Sequence, residues 1–164
     1  MHRESLEGME NYLRKYVQSA YSILDVGSLN YKKKGCYKQI LPGDYTYIGV
    51  DLIAGRNVDI IVKPYEFPFP DDNFDFVISG QCFEHVENPF RLIKECARVL
   101  KTGGYFIGVA PMAWPQHKHP VDCWRILPDG WNAMFMEAGL STVETHINEI
   151  EPPGFIDCWG IAKK

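Results

Sequence analysis

The sequence predicts an α/β chain forming a single domain, with a doubly wound, mostly parallel sheet and one antiparallel strand near its C-terminal end. Three observations lead there. Apolar runs of strand length recur from Ser22 onward without polar alternation, as in strands covered on both faces. A helical apolar stripe separates two of these runs. The last two runs are joined by a short connection holding Pro152, Pro153 and Gly154, too short for the crossover that parallel neighbours need, so they pair antiparallel.

In chain order, Leu6, Met9, Leu13 and Val17 recur at helical spacing, which predicts an amphipathic helix over Glu4–Ser19. This assigns residues 1–20 to an N-terminal helix and 21–164 to the core. Strands are predicted at Ser22–Gly27, Thr46–Leu52, Val58–Val62, Phe74–Gly80 and Tyr105–Pro111. Between the last two, Asn88 caps a helix with Pro89 at its first position and a stripe of Phe90, Ile93, Ala97 and Leu100, stopped by Gly103 and Gly104. Trp131, Met134, Phe135 and Ala138 form another helical stripe ended by Gly139, although Leu127 is a poor cap. Strands at Thr145–Ile150 and Phe155–Ala162 close the chain. The irregular segment from Met112 to Leu127 carries Trp114, His117, His119, Asp122, Trp124 and Arg125. Long connections in small domains are commonly functional.

The 164 residues suit one domain with a sizeable core, and no repeat, low-complexity tract or linker divides them. A formal charge of -4 argues against nucleic acid, whose phosphates call for clustered Lys and Arg. The one tight run, Lys32, Lys33 and Lys34, reads as a solvated loop. No apolar run approaches the ~20 residues that span a bilayer, and Arg3, Glu4 and Glu7 stand where a signal peptide needs apolar residues. No membrane partner and a cytoplasmic location are therefore expected. Cys36, Cys82, Cys96, Cys123 and Cys158 are odd in number and never spaced as CxxC, which indicates reduced, mostly buried thiols.

In an open α/β sheet, ligands bind at the carboxyl ends of the strands, near the point where strand order reverses. That places Asp25, Gly27, Asp51, Ser79 and His119 on one rim. Asp51 follows Gly27 by 24 residues, a separation suited to an acidic residue that holds ribose hydroxyls; a surface Asp at a strand end is the plainer alternative. A dinucleotide pyrophosphate needs further glycines close behind the first, where this chain has Leu29 and Asn30. A nucleoside cofactor with an amino acid and a sulfonium asks only for a turn, polar groups and negative potential.

The ordered set DVGS, GVDL, FPFPDDNFDFVISGQCFEHVENP, ARVLKTGGYFIGVAP and DCWGIAKK resembles a class I S-adenosylmethionine-dependent methyltransferase of the small type, over about Ser22 to Lys164. HKHPVDCWRILPDGW is similar to a segment in a bacterial subset whose domains accompany sugar or cell-surface glycan pathways. The resemblance implies a Rossmann-like fold and S-adenosyl-L-methionine as cofactor. It assigns Asp25, Gly27 and Ser28 to the methionine end, Asp51 to the ribose and Leu52 to the adenine face. Where relatives have an acidic residue for the adenine amino group, this chain has Lys63, so Tyr65, Glu66 or the backbone beside Phe67 would serve. Gln81 falls near the methionine portion and the transferred methyl.

Glu84 and His85 could act as acid or base, but a hydrogen-bonded helix start is the commoner reading. Trp114 and Trp124 could stack on an acceptor, though large aromatics more commonly fill a core. His117, His119 and Asp122 could ligate a metal, yet nothing in their spacing fixes a geometry, so none is expected. The segment follows the fifth strand on the cofactor rim. His119 is therefore the leading candidate base, with Asp122 and Arg125 as orienting or binding groups. The function expected is methyl transfer by direct displacement to a small-molecule or saccharide acceptor. Two alternatives stand beside it: a non-catalytic module that binds the cofactor, its product or a protein partner, and a nicotinamide-dependent oxidoreductase, which the missing glycines disfavour. Oligomeric state is left open.

Overall fold

The computed structural model describes residues 3–30, 35–150 and 153–164; Lys32, Lys33, Lys34 and Pro152 lie outside the described residues. Helix α1 (Arg3–Tyr16) leads into β1 (Tyr21–Val26), β2 (Tyr45–Asp51), a two-residue β3 (Ile60–Ile61) and β4 (Phe74–Gly80). Then come α2 (Pro89–Val99), β5 (Leu100–Ala113), α3 (Pro128–Glu137), β6 (Ser141–Ile150) and β7 (Phe155–Lys163). They form one seven-stranded sheet in the order β3-β2-β1-β4-β5-β7-β6. Strands β1 to β5 pair in parallel, and β7 runs antiparallel to both β5 and β6. A single reversed strand thus sits near the C-terminal end of a doubly wound sheet, as the sequence predicts.

Side chains alternate across a strand, so the apolar runs build two cores. Leu24, Val26, Val77 and Phe106 pack on one face with Ile93 and Ala97 of α2 and Trp131 and Phe135 of α3. Ile23, Ile78, Ile107 and Trp159 pack on the other with Met9 and Leu13 of α1 and with Tyr37. Tyr37 lies in a 3₁₀ turn (Tyr37–Gln39) between β1 and β2. Its hydroxyl shares a hydrogen bond of 2.7 Å with Ser5 and occupies the space that a Cβ on Gly80 would fill. That contact fastens α1 to the end of β4.

Several boundaries differ from the sequence reading. The Val58–Val62 strand shrinks to Ile60–Ile61, which pairs only with Val50 and Asp51 at the sheet edge. Gly103 and Gly104 do not stop α2. The helix ends at Val99, and the glycines belong to β5, where the Gly103 amide donates to the Lys164 carbonyl. Asn88 does cap α2, its side chain accepting from the Arg91 amide at 3.0 Å. Phe90, however, is exposed, and Leu92 and Cys96 join Ile93 and Ala97 on the buried face. Strand β6 begins at Ser141 rather than Thr145. The cysteines are unpaired: Cys36, Cys96 and Cys158 are buried, Cys82 is half-buried and Cys123 is exposed. Among the described residues, no helix is long and apolar enough to cross a membrane.

Candidate functional site

The strand order reverses at β1, which lies between β2 and β4. The carboxyl ends of these strands carry most of the residues the sequence singles out. After β1 the chain turns at Gly27 with φ +78°. A Cβ there would approach the Cys82 Sγ to 2.5 Å, so only glycine lets the β1 and β4 turns meet this closely. The Gly27 and Ser28 amides both donate to the Val50 carbonyl. Asp51 completes the bracket: its Oδ2 accepts from the Leu29 amide at 3.1 Å and its Oδ1 from the Leu52 amide at 2.7 Å. Asp51 thereby fixes the β1 turn, and each oxygen retains acceptor capacity. Leu52 is exposed beside it. The Ser28 Oγ is buried with no hydrogen-bond partner.

Asp25 is buried beneath this turn. The Tyr47 hydroxyl donates to its Oδ2 at 2.7 Å, and the Asn57 amide nitrogen donates to the same hydroxyl at 2.7 Å. Burial pushes the Asp25 carboxyl up to about 7, against the donated hydrogen bond from Tyr47. Burial likewise holds the Cys82 thiol well above its ordinary value, which keeps it protonated and unreactive.

Gln81 also has left-handed backbone, φ +58°. Its side-chain amide donates to the buried Asp157 Oδ2 at 3.0 Å, and the Trp114 indole donates to Oδ1 at 3.1 Å. Asp157, which joins Gln81 to Trp114, is not singled out by the sequence reading. Its position on the strand beside β5 is the available signal, and it needs the sheet order to be seen.

The adenine candidates separate. The Tyr65 hydroxyl accepts from the Asn88 amide at 3.0 Å, and the Arg91 guanidinium stacks 4.7 Å over its ring, so Tyr65 ties its turn to α2. The Phe67 amide donates to Glu95 Oε1 at 2.7 Å. Glu66 and Lys63 remain exposed and line a hollow of about 320 Å³ with Ile61, Val62, Phe67 and Pro68.

The segment at 112–127 folds onto the turn after β4. The Cys123 and Trp124 amides donate to the Glu84 carbonyl, and the exposed Trp124 donates its indole NH to the Val86 carbonyl. Asp122 braces the segment. Its oxygens accept from Arg125 at 2.6 and 2.8 Å and from the His117 amide at 2.7 Å, and the guanidinium holds its carboxyl well below the usual range. Arg125 also donates to the Trp114 and Pro115 carbonyls. Trp114 packs edge-on against Phe155. His119 is exposed, its ring centroid 5.5 Å from that of His85 and 6.3 Å from that of His117.

Glu84 and His85 do not begin a helix. They lie in a 3₁₀ turn (Phe83–His85), with the Glu84 side chain fully buried and neither carboxylate oxygen hydrogen-bonded among the described residues. His85 Nε2 lies 3.5 Å and His117 Nε2 3.8 Å from Glu84 Oε1. The Glu84 carboxylate raises the His117 pKa above its ordinary value.

The family described as "Methyltransferase domain" matches residues 24–108, from β1 into β5. A 2-methyl-6-phytyl-1,4-hydroquinone methyltransferase of rice, Oryza sativa subsp. japonica, is 28% identical over 88% of this chain and 44% of its own length. The chain spans less than half the length of the curated relatives it matches. Among solved structures, the YcgJ protein of Bacillus subtilis aligns over 99% of both chains with a TM-score of 0.73 at 17% identity. The 1,6-didemethyltoxoflavin-N1-methyltransferase of Burkholderia thailandensis, solved with S-adenosylhomocysteine bound, has a TM-score of 0.76 at 12% identity over 98% of this chain and 78% of its own. These two likenesses concern the fold. With more than half of its residues matched by the family, the chain belongs to the class I S-adenosylmethionine-dependent methyltransferases.

Proposed function

We propose that this chain binds S-adenosyl-L-methionine in the crevice between the ends of β1 and β4 and transfers its methyl group to a small-molecule or saccharide acceptor. The observation that carries the reading is the charge of that crevice. Asp51 braces its rim with both carboxylate oxygens still able to accept, and Asp25, buried beneath the turn, adds a carboxyl that is partly ionised near neutral pH. Such a site favours a cofactor bearing an ammonium and a sulfonium and repels the pyrophosphate of a nicotinamide dinucleotide. Asp25, Gly27, Ser28 and Gln81 take the methionine end in this reading. Asp51 takes the ribose, and Leu52 with Glu66 borders the adenine.

The reaction is a displacement. A lone pair of the acceptor attacks the methyl carbon, the carbon–sulfur bond breaks, and sulfur keeps the electron pair as S-adenosylhomocysteine forms. Because the donor is already activated, the protein chiefly supplies alignment, worth roughly 7 to 11 kcal/mol at best. A hydroxyl acceptor must also lose a proton, and a positioned base then adds about 10²- to 10⁴-fold. His119, exposed on the segment at 112–127, is the candidate base, with the acceptor held beneath that segment.

Calorimetric titration with S-adenosylmethionine and S-adenosylhomocysteine, beside an Asp51→Ala variant, tests the cofactor site. Binding that collapses in the variant supports it, and a screen led by saccharides and small alcohols follows. Absence of binding to the folded chain refutes it and favours the non-catalytic alternative. The engagement of Tyr65 and the Phe67 amide with α2 is the observation on that side.

A further inference from the structure

We propose that Glu84, His85 and His117 form a binding site for a divalent transition-metal ion of the zinc type. Sequence spacing suggests another set, His117, His119 and Asp122, but the Arg125 fork occupies both Asp122 oxygens. The folded chain substitutes the Glu84 carboxylate. One potential ligand atom from each of Glu84, His85 and His117 lies within 4.8 Å of the others.

The ring orientations suit a metal. His85 Nδ1 lies 2.7 Å from the Val121 carbonyl oxygen and His117 Nδ1 3.0 Å from that of Pro115. A carbonyl only accepts, so each Nδ1 carries a proton and Nε2 is the ring atom turned toward Glu84, where a bound metal ion would take the place of any Nε2 proton. Backbone acceptors that fix the far nitrogen in this way are the usual support of a metal-ligating histidine. Glu84 supplies the independent sign. Its side chain is fully buried and both oxygens lack a hydrogen-bond partner among the described residues, an expensive arrangement for a carboxylate unless a cation meets it.

Distances are close. Ligands about 2.1 Å from a zinc-type ion stand roughly 3.0 to 3.4 Å from one another. The separations from Glu84 Oε1 are 3.5 and 3.8 Å, and all three ligand atoms lie within 4.8 Å of one another, so the two histidine nitrogens must draw together by up to about 1.4 Å. His117, on a connecting segment, can supply that closure. Two imidazoles and one carboxylate favour zinc and its first-row neighbours over magnesium or calcium, which prefer all-oxygen shells. The site stands independently of the methyl-transfer reading.

The test is zinc titration of the chelator-treated, metal-free chain by calorimetry, with cobalt(II) uptake followed by visible absorption. One equivalent is expected to bind, with d–d bands of nitrogen–oxygen coordination and a rise in Tm. His117→Ala and Glu84→Gln are each expected to weaken uptake more than about 10-fold. Because Glu84→Gln places an amide in a buried position, His117→Ala, with circular dichroism matching the parent, carries the decision alone if the other fails to fold. Cys123→Ser, which removes the exposed thiol, is expected to bind as the parent does. Absence of stoichiometric uptake, or uptake equal in parent and His117→Ala, overturns the proposal.

Discussion

The Tyr47 hydroxyl, reaching back from β2, donates to the buried Asp25 carboxylate at 2.7 Å. It is a neutral donor, and burial still holds the Asp25 pKa at about 7 against a reference of 3.8. The folded chain therefore keeps this proton where the unfolded chain has released it. Stability falls as pH rises from about 4 to about 7 and is flat with respect to this group above that. Asp25→Asn removes the titration. Urea unfolding at pH 5, 6 and 8 should show the variant gaining on the parent across the window, on the order of 1.4 kcal/mol per pH unit at most. A constant difference would refute it.

Gly27→Ala sets a Cβ against the Cys82 Sγ at a backbone φ of +78°. The expected cost is about 1 to 3 kcal/mol from the left-handed backbone alone, with further loss from the clash. Combining it with Cys82→Gly, which removes both the Sγ and the Cβ that the new Cβ would meet, should relieve the clash and leave the backbone strain. Tm values of the two single variants and the double variant check this.

Asp51 holds the Leu29 and Leu52 amides, so its loss frees the turn as well as the proposed ribose contact. Asp51→Ala should weaken S-adenosylhomocysteine binding by at least ~10-fold, and Asp51→Asn less, since one amide oxygen still accepts. Calorimetry on both variants separates the cases.

The Asp122–Arg125 fork is a stability element. Its carboxyl is held below the ordinary range, so its contribution is present at neutral pH and is lost as pH falls below about 4. Asp122→Ala should cost about 2 kcal/mol at pH 7 and speed proteolysis within residues 112–127. Under the methyl-transfer reading, the variant's kcat against pH should keep its shape, whereas His119→Ala removes the low-pH limb, where protonation of the base slows transfer to a hydroxyl acceptor.

Much of the fold is legible in local pattern. Phe74–Gly80 is a strand with the same bounds in sequence and structure, because its apolar run is flanked by turn-forming residues. The antiparallel end follows from the brevity of one connection. Strand β3 and the glycines of β5 are not legible, since sheet neighbours decide their pairing: Gly103 stays in register through Lys164. Site residues divide the same way. Asp25, Gly27 and Asp51 sit at strand ends and announce themselves. The Glu84 cluster joins residues 33 positions apart, and Glu84 followed by His85 after a strand imitates a helix start. Only the tertiary path of the segment at 112–127 reveals the buried carboxylate.

That segment is attached to the β4 turn largely through main-chain groups. The Glu84 carbonyl takes two of its amides, Val86 takes the Trp124 indole, and His85 reaches the Val121 carbonyl. Main-chain attachment is indifferent to the identity of most side chains it carries. Gln116 and Lys118, exposed on the segment, can therefore be exchanged without moving the anchor. Under the methyl-transfer reading proposed above, acceptor preference is free to diversify by point substitution on a fixed canopy, while the proposed cofactor crevice evolves on separate terms.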